Sequence, residues 1–168
     1  NDLIIDIGAN IGWHSLVMAQ AAGPEGRVFG FEPMPETFAL YSANVRQNGM
    51  AGRIIPENTA VGAKPGKARL RVPENAARTH ATLSGSPDGD NGVEVTVSAL
   101  DDYAATRGIV RFDVMKIDVE GSELMVVDGA AGLLAMKLPP HPIVEAPANT
   151  AEGFGCGPNA LPDATGND

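Results

Sequence analysis

Cysteine is almost missing from these 168 residues; there is one, Cys156. A lone cysteine forms no internal disulfide, so the chain is no disulfide scaffold, and it suits a reducing, cytoplasmic setting. Positive charge is scarce too. Twelve Lys and Arg stand against 21 Asp and Glu, a formal charge of −9, and Lys and Arg cluster nowhere. Such a balance repels phosphate backbones and sets nucleic acid aside as a partner. No run approaches the ~18 uncharged apolar residues of a membrane span, and nothing at the start reads as a signal peptide. "NDLIID" already reads as a core strand, as it would in a domain cut from a longer chain or in an incomplete gene product.

The length suffices for one domain with a sizeable core. Strand signals fall at Leu3–Ile7 and at "RVFGF", Arg27–Phe31, with a weak one at residues 53–56. Between them, residues 12–22 carry Leu16, Val17, Ala19 and Ala22 at near-helical spacing. Residues 35–48 do the same with Phe38, Leu40, Tyr41 and Val45, with Pro35 suited to the first turn and Gly49 to the cap. Strand–helix–strand–helix–strand is the pattern of a parallel sheet covered on both faces. "KARLRV" (67–72) and "VEVTV" (93–97) alternate with period two, as half-exposed antiparallel strands do. "SGSPDGDNG" between them is loop material. A short helix is expected at 99–106, a core strand in "FDVMKIDVEG" (112–121), a helix over 122–134 with Leu124, Val127, Leu133 and Leu134 inside, and a strand in "HPIVEA" (141–146). The domain therefore runs over residues 1–147. Residues 148–168 are rich in Gly, Pro, Asn and Asp without periodicity, and read as a disordered tail.

The chemistry concentrates in "IIDIGANIGWHSL", where a buried strand turns into a helix around Asp6, Gly8, Asn10 and Gly12. In a doubly wound sheet, ligands bind outside the carboxyl ends of the strands, beside the first strand. Glycines there allow a tight turn and close approach of a ligand. The nicotinamide fingerprint G-x-G-x-x-G is absent; here the order is D-x-G-x-N-x-G, with Asn10 in place of the glycine that admits the pyrophosphate. A carboxylate at Asp6 disfavours phosphates and suits a cationic or hydrogen-donating group, such as the ammonium of S-adenosylmethionine (SAM). Glu32 ends the second strand 24 residues after Gly8, near the ~20-residue spacing at which an acid meets a ribose. Together these residues describe a nucleoside site without a phosphate site. The plainer readings are a helix cap for Asp6, a loop carboxylate for Glu32 and a left-handed turn for Asn10.

"DIGANIGWHSL", "GRVFGFEPMPETFALYSANV", "NTAVGAKPGKARL", "SALDDY" and "MKIDVEGSELMVVDGA" resemble, in order, the motifs of the FkbM-type SAM-dependent methyltransferases, over roughly residues 2–146. The resemblance implies a Rossmann-like, mostly parallel sheet of the class I methyltransferases. It implies methyl transfer to a hydroxyl oxygen of a small molecule or glycan. By position it assigns Asp6, Gly8, Asn10 and Gly12 to the SAM loop, Glu32 to the ribose and Asn58 to the adenine side. Asp118, Glu120 and Gly121 match the motif beside the methyl group. Such enzymes continue past the "PIVEA" strand into further strands, so here the C-terminal part of the sheet reads as missing.

Methyl transfer to a hydroxyl needs an aligned oxygen and a proton acceptor. Asp118 or Glu120 is the candidate base or acceptor anchor, although Lys116 and Asp118 share a strand face and form an ion pair just as readily. His14, His80 and Glu145 are lesser candidates; Glu123 suits a helix's first turn with no further role, and His141 reads as surface. Asp118 and Glu120 lack a third ligand, so no metal is expected. Two rivals stand beside this reading: an NAD-linked oxidoreductase, and a SAM-binding fragment without turnover. Neither the acceptor nor the oligomeric state is written in the sequence.

Overall fold

The computed structural model of the chain describes residues 2–71, 82–84, 92–119, 121–136 and 140–144. In order these form β1 (Leu3–Ile7), α1 (Trp13–Ala21), β2 (Arg27–Phe31), α2 (Pro35–Gln47), β3 (Ile54–Glu57), β4 (Ala60–Val61), β5 (Gly66–Arg71), β6 (Thr82–Ser84), β7 (Val93–Ser98), α3 (Leu100–Thr106), β8 (Val114–Ile117), α4 (Glu123–Gly129), α5 (Ala131–Leu134) and β9 (His141–Val144).

Five strands make a wholly parallel sheet in the order β3-β2-β1-β8-β9. The chain first winds outward from β1 to β3 and then resumes on the other side of β1 at β8. The switch point therefore lies between β1 and β8, where a ligand crevice is expected at the carboxyl ends.

Period two divides the core. Ile5, Ile7, Phe29, Phe31, Met115 and Ile117 point to the face covered by α3, α4 and α5, through Leu100, Tyr103, Val126 and Leu133. Ile4, Val28 and Ile54 point to the opposite face, against Ala19 and Ala22 of the α1 segment and Tyr41 and Val45 of α2. The rings of Phe29, Phe31 and Phe112 meet one another or Tyr103 edge to face, the arrangement aromatic quadrupoles favour.

A second sheet of four strands, β4-β7-β5-β6, stands between β3 and β8 in the chain. β5 and β7 pair antiparallel, as their alternation predicts. β4 and β6 went unread as strands; at two and three residues they are too short to show a period. Leu70 and Val95 of this sheet bury Met34, just beyond β2, so the small sheet abuts the carboxyl end of β2.

Several expectations are corrected. The helix expected over 122–134 is two helices, with a break at Ala130. Its buried side is Glu123, Val126, Gly129 and Leu133, while Leu124 and Val127 are only partly buried. The reason is close packing at Gly129, where a Cβ would stand 2.1 Å from the Gly62 carbonyl oxygen. Val17 and Leu40, expected inside, are 50 % and 58 % exposed. The helix α1 is turned to bring Ser15 inward instead of Val17, while on α2 Tyr41 and Val45 are buried as expected. The strand expected within 112–121 is confined to Val114–Ile117. The tail at 148–168 lies outside the described residues.

Candidate functional site

One transverse row of the parallel sheet places Gly30, Asp6 and Lys116 side by side on β2, β1 and β8. All three face α1 and α2, the side of Ile4 and Val28. Gly30 has no side chain, and the Tyr41 ring fills the space: a Cβ there would lie 1.9 Å from the Tyr41 hydroxyl oxygen. That hydroxyl is 2.7 Å from Ser15 Oγ, and Ser15 Oγ donates to Asp6 Oδ2 at 2.6 Å. On the other side of Asp6, the Lys116 ammonium lies 3.3 Å from Oδ1 and also 3.2 Å from Asp118 Oδ2. A buried polar chain thus runs Tyr41–Ser15–Asp6–Lys116–Asp118 beneath the switch point. Asp6 is 0 % exposed, and Lys116 and Ser15 take the place of water around its carboxylate. Burial drives the Tyr41 hydroxyl far above its ordinary pKa, and it stays a neutral donor.

Asp6 therefore does not face the crevice from the loop, as the argument against phosphates assumed. Nor does it cap α1, whose N-cap is Gly12 with no side-chain bond. It sits under the loop and anchors it.

The glycines are required by the protein's own packing. Gly8 has φ 78°, and a Cβ there would stand 1.8 Å from the Asp118 carbonyl oxygen. Gly12 has φ 86°, and its Cβ would enter the Tyr41 ring at 2.1 Å. Asn10, at φ 52°, is the only non-glycine with positive φ among the described residues. The N–H groups of Gly8 and Ala9 both donate to the Phe31 carbonyl, at 3.0 and 2.9 Å, which ties the loop to the tip of β2.

Glu32 stands at that tip, 8 % exposed. Its two carboxylate oxygens accept from the N–H groups of Asn10 (3.0 Å) and Met34 (2.8 Å). Burial raises its pKa, against the lowering by these two N–H groups, and the charge of Asp6 adds to the rise. Asn58, beyond β3, donates to the carbonyls of Glu32 (2.9 Å) and Pro33 (3.0 Å), and so fixes the backbone that carries the acid.

Asp118 follows β8. Its N–H donates to the Ile7 carbonyl at 3.0 Å, which carries the β1–β8 pairing to the mouth of the crevice, and its side chain is 29 % exposed. The ion pair with Lys116 weighed in the sequence is present. Gly121 and Glu123 close the turn, the Glu123 carboxylate accepting from the Gly121 N–H at 2.8 Å. Glu120, His80 and Glu145 lie outside the described residues. His14 is exposed in the first turn of α1, and His141 is exposed on β9.

The structure thus brings Asp6, Gly8, Asn10, Gly12, Glu32, Asn58 and Asp118 to the carboxyl ends of β1, β2, β3 and β8. Ser15 and Tyr41 went unread as site residues. A serine on an otherwise apolar helix face is the only local trace of the first. The second is an ordinary core tyrosine until Gly30 and Gly12 are known to lie beneath it.

Two buried oxygens, Asp6 Oδ1 and Asn10 Oδ1, have no hydrogen-bond donor among the described residues. For Asp6 the Lys116 ammonium is near enough for charge attraction but not aligned as a donor. Unsatisfied buried acceptors of this kind call for a donor from water or ligand. Of the two, Asn10 Oδ1 lies on the loop itself, and with the pinned carboxylate of Glu32 it fits a molecule rich in N–H and O–H groups.

The profile of the Methyltransferase FkbM domain matches residues 6–152. The chain belongs to the FkbM methyltransferase family. It is 32 % identical to the 31-O-demethyl-FK506 methyltransferase FkbM of Streptomyces tacrolimicus, over 76 % of this chain and 59 % of that protein. It is 30 % identical to the hexuronic acid methyltransferase AglP of Haloferax volcanii, over 80 % of this chain and 52 % of that protein. The chain thus spans between half and three-fifths of these curated relatives. The crystal structure of a methyltransferase FkbM from Methylobacillus flagellatus shares the fold, with a TM-score of 0.58 at 20 % identity, over 95 % of this chain and 38 % of that one. Family membership accounts for the absent G-x-G-x-x-G and leaves the oxidoreductase reading without support.

Proposed function

We propose that the chain binds SAM and forms the cofactor-binding part of an O-methyltransferase acting on a hydroxyl of a small molecule or sugar. Glu32 carries this reading. Its carboxylate is held rigid by two backbone N–H groups while lone pairs remain to accept from the adjacent hydroxyls of a ribose. Asn10 Oδ1 and the loop anchored on Asp6 suit the amino-acid end, and Asn58 holds the strand tip on the adenine side. The relatives' names, a demethyl-FK506 and a hexuronic acid methyltransferase, support an oxygen acceptor on a small molecule or sugar.

Bound SAM would supply an activated methyl group on a sulfonium. The protein's part is orientation and removal of a proton. The Gly8 turn packs against the Asp118 backbone, so the cofactor loop and the acceptor-side carboxylate are fixed to each other. Fixed geometry of this kind supplies much of the rate in a two-reactant transfer. Asp118, part-exposed at the mouth, or the neighbouring Glu120 accepts the acceptor's proton as the oxygen attacks.

The length of the relatives favours one second reading: a SAM-binding fragment that turns over only within a longer protein. Calorimetric titration of the purified chain with SAM, with NADH in parallel, tests both. Micromolar SAM affinity without NADH binding supports the cofactor assignment, and turnover with a hydroxylated acceptor then separates enzyme from fragment. A chain that binds NADH and not SAM would sink the proposal.

A further inference from the structure

A cation buried beneath a site read as one for a cationic ligand needs a reason. The Lys116 side chain is 11 % exposed. Its ammonium is held by Asp6 Oδ1, by Asp118 Oδ2 and by the Gly8 carbonyl at 3.4 Å, acceptors drawn from β1, from the end of β8 and from the loop. It therefore has one fixed position, directly below the loop and beside the carboxylate at the mouth. Among the described residues around the crevice, Asp6, Glu32 and Asp118 are acidic and Lys116 is their basic counterpart.

SAM and the S-adenosylhomocysteine left after transfer differ at sulfur by one methyl group and one positive charge. An unrelieved acidic site would hold the sulfonium tightly in the ground state, and ground-state binding does not lower the barrier. As the methyl group leaves, sulfur loses its charge, and a fixed cation nearby favours that loss.

We propose that Lys116 sets the discrimination between the sulfonium donor and the neutral thioether product, by relieving the negative field of Asp6 and Asp118 at the switch point. This rests on the reading of the site as one for SAM. At the effective dielectric of protein sites, a neighbouring unit charge shifts the affinity for a charged group on the order of tenfold.

Calorimetric titration of the full chain with SAM and with S-adenosylhomocysteine gives the ratio of the two affinities. Lys116→Met is expected to move that ratio about tenfold toward SAM. Lys116→Arg keeps the charge and should leave it in place. Asp118→Asn removes one negative charge, keeps the Asp6–Lys116 pair and should move the ratio toward the thioether. A merely structural lysine would weaken both ligands alike, so unchanged ratios in Lys116→Met and Asp118→Asn overturn the proposal. Should Lys116→Met fail to fold, Asp118→Asn decides alone. An unmodified chain that binds neither compound overturns the SAM reading and this inference with it. An unmodified chain that binds SAM, with ratios that do not move, overturns only the inference.

Discussion

At Glu32, loss of water and the two backbone N–H groups pull in opposite directions, and loss of water prevails: the carboxyl holds its proton to a higher pH than an ordinary glutamate. The sign of the linkage follows. Above the unfolded pKa, the folded chain keeps a proton that the unfolded chain has released, so stability falls as pH rises through that window. Wild-type stability, measured by urea unfolding relative to Glu32→Gln, should therefore decline as pH rises above the ordinary glutamate range. A flat difference would mean that Glu32 is not desolvated. Gln cannot accept from two N–H groups with two oxygens, so the same variant should also lose SAM affinity. Asp6 makes a different demand. Asp6→Ala leaves Lys116 buried with one charged partner fewer, and should cost about 3–5 kcal/mol. Asp6→Asn keeps an oxygen for Ser15 and should cost less. Equal denaturation midpoints for Asp6→Ala and wild type would show that the ion pair contributes nothing. That Asp6 is out of place in an apolar run is legible in the sequence. That it points beneath the loop is not, because its direction is set by Ser15, Tyr41 and Lys116, which lie on three other elements.

Among the elements, the short apolar strands β1 and β2, the alternating β5 and β7, and the existence of α1 and α2 are legible. The rotation of the two helices is not. Val17 fits an apolar stripe better than Ser15, and Leu40 fits one as well as its neighbour Tyr41; which side turns inward is set by the polar row on the sheet below. The break after α4 also comes from packing. Gly129 closes that helix, and a methyl group there would meet backbone, the Gly62 carbonyl oxygen and carbon at 2.1 and 2.9 Å, with no flexible side chain to move aside. Helix propensity alone gives Gly→Ala about 1 kcal/mol of stabilisation. Overpacking against backbone costs about 1–3 kcal/mol and should win. Gly129→Ala is therefore expected to lower the Tm. A higher Tm would show that α4 can slide away from Gly62.

Across the whole molecule, the site draws on both halves of the sheet. Glu32 and Asn58 follow strands on one side of the switch point, Asp118 follows a strand on the other, and the loop after β1 lies between them. A ligand that engages all of these stabilises the native chain as a unit, because the unfolded chain offers no such convergence. At a concentration about 100 times its dissociation constant, such a ligand adds about 2.7 kcal/mol. For a chain of this size that corresponds to a rise in Tm of about 5–10 °C. Scanning calorimetry with SAM should show that rise in one transition, since the polar chain from Tyr41 to Asp118 ties the two halves together beneath the ligand. NADH should leave the Tm in place. Two separated transitions, only one of them moved by SAM, would mean that the halves unfold independently and that the ligand rests on one of them.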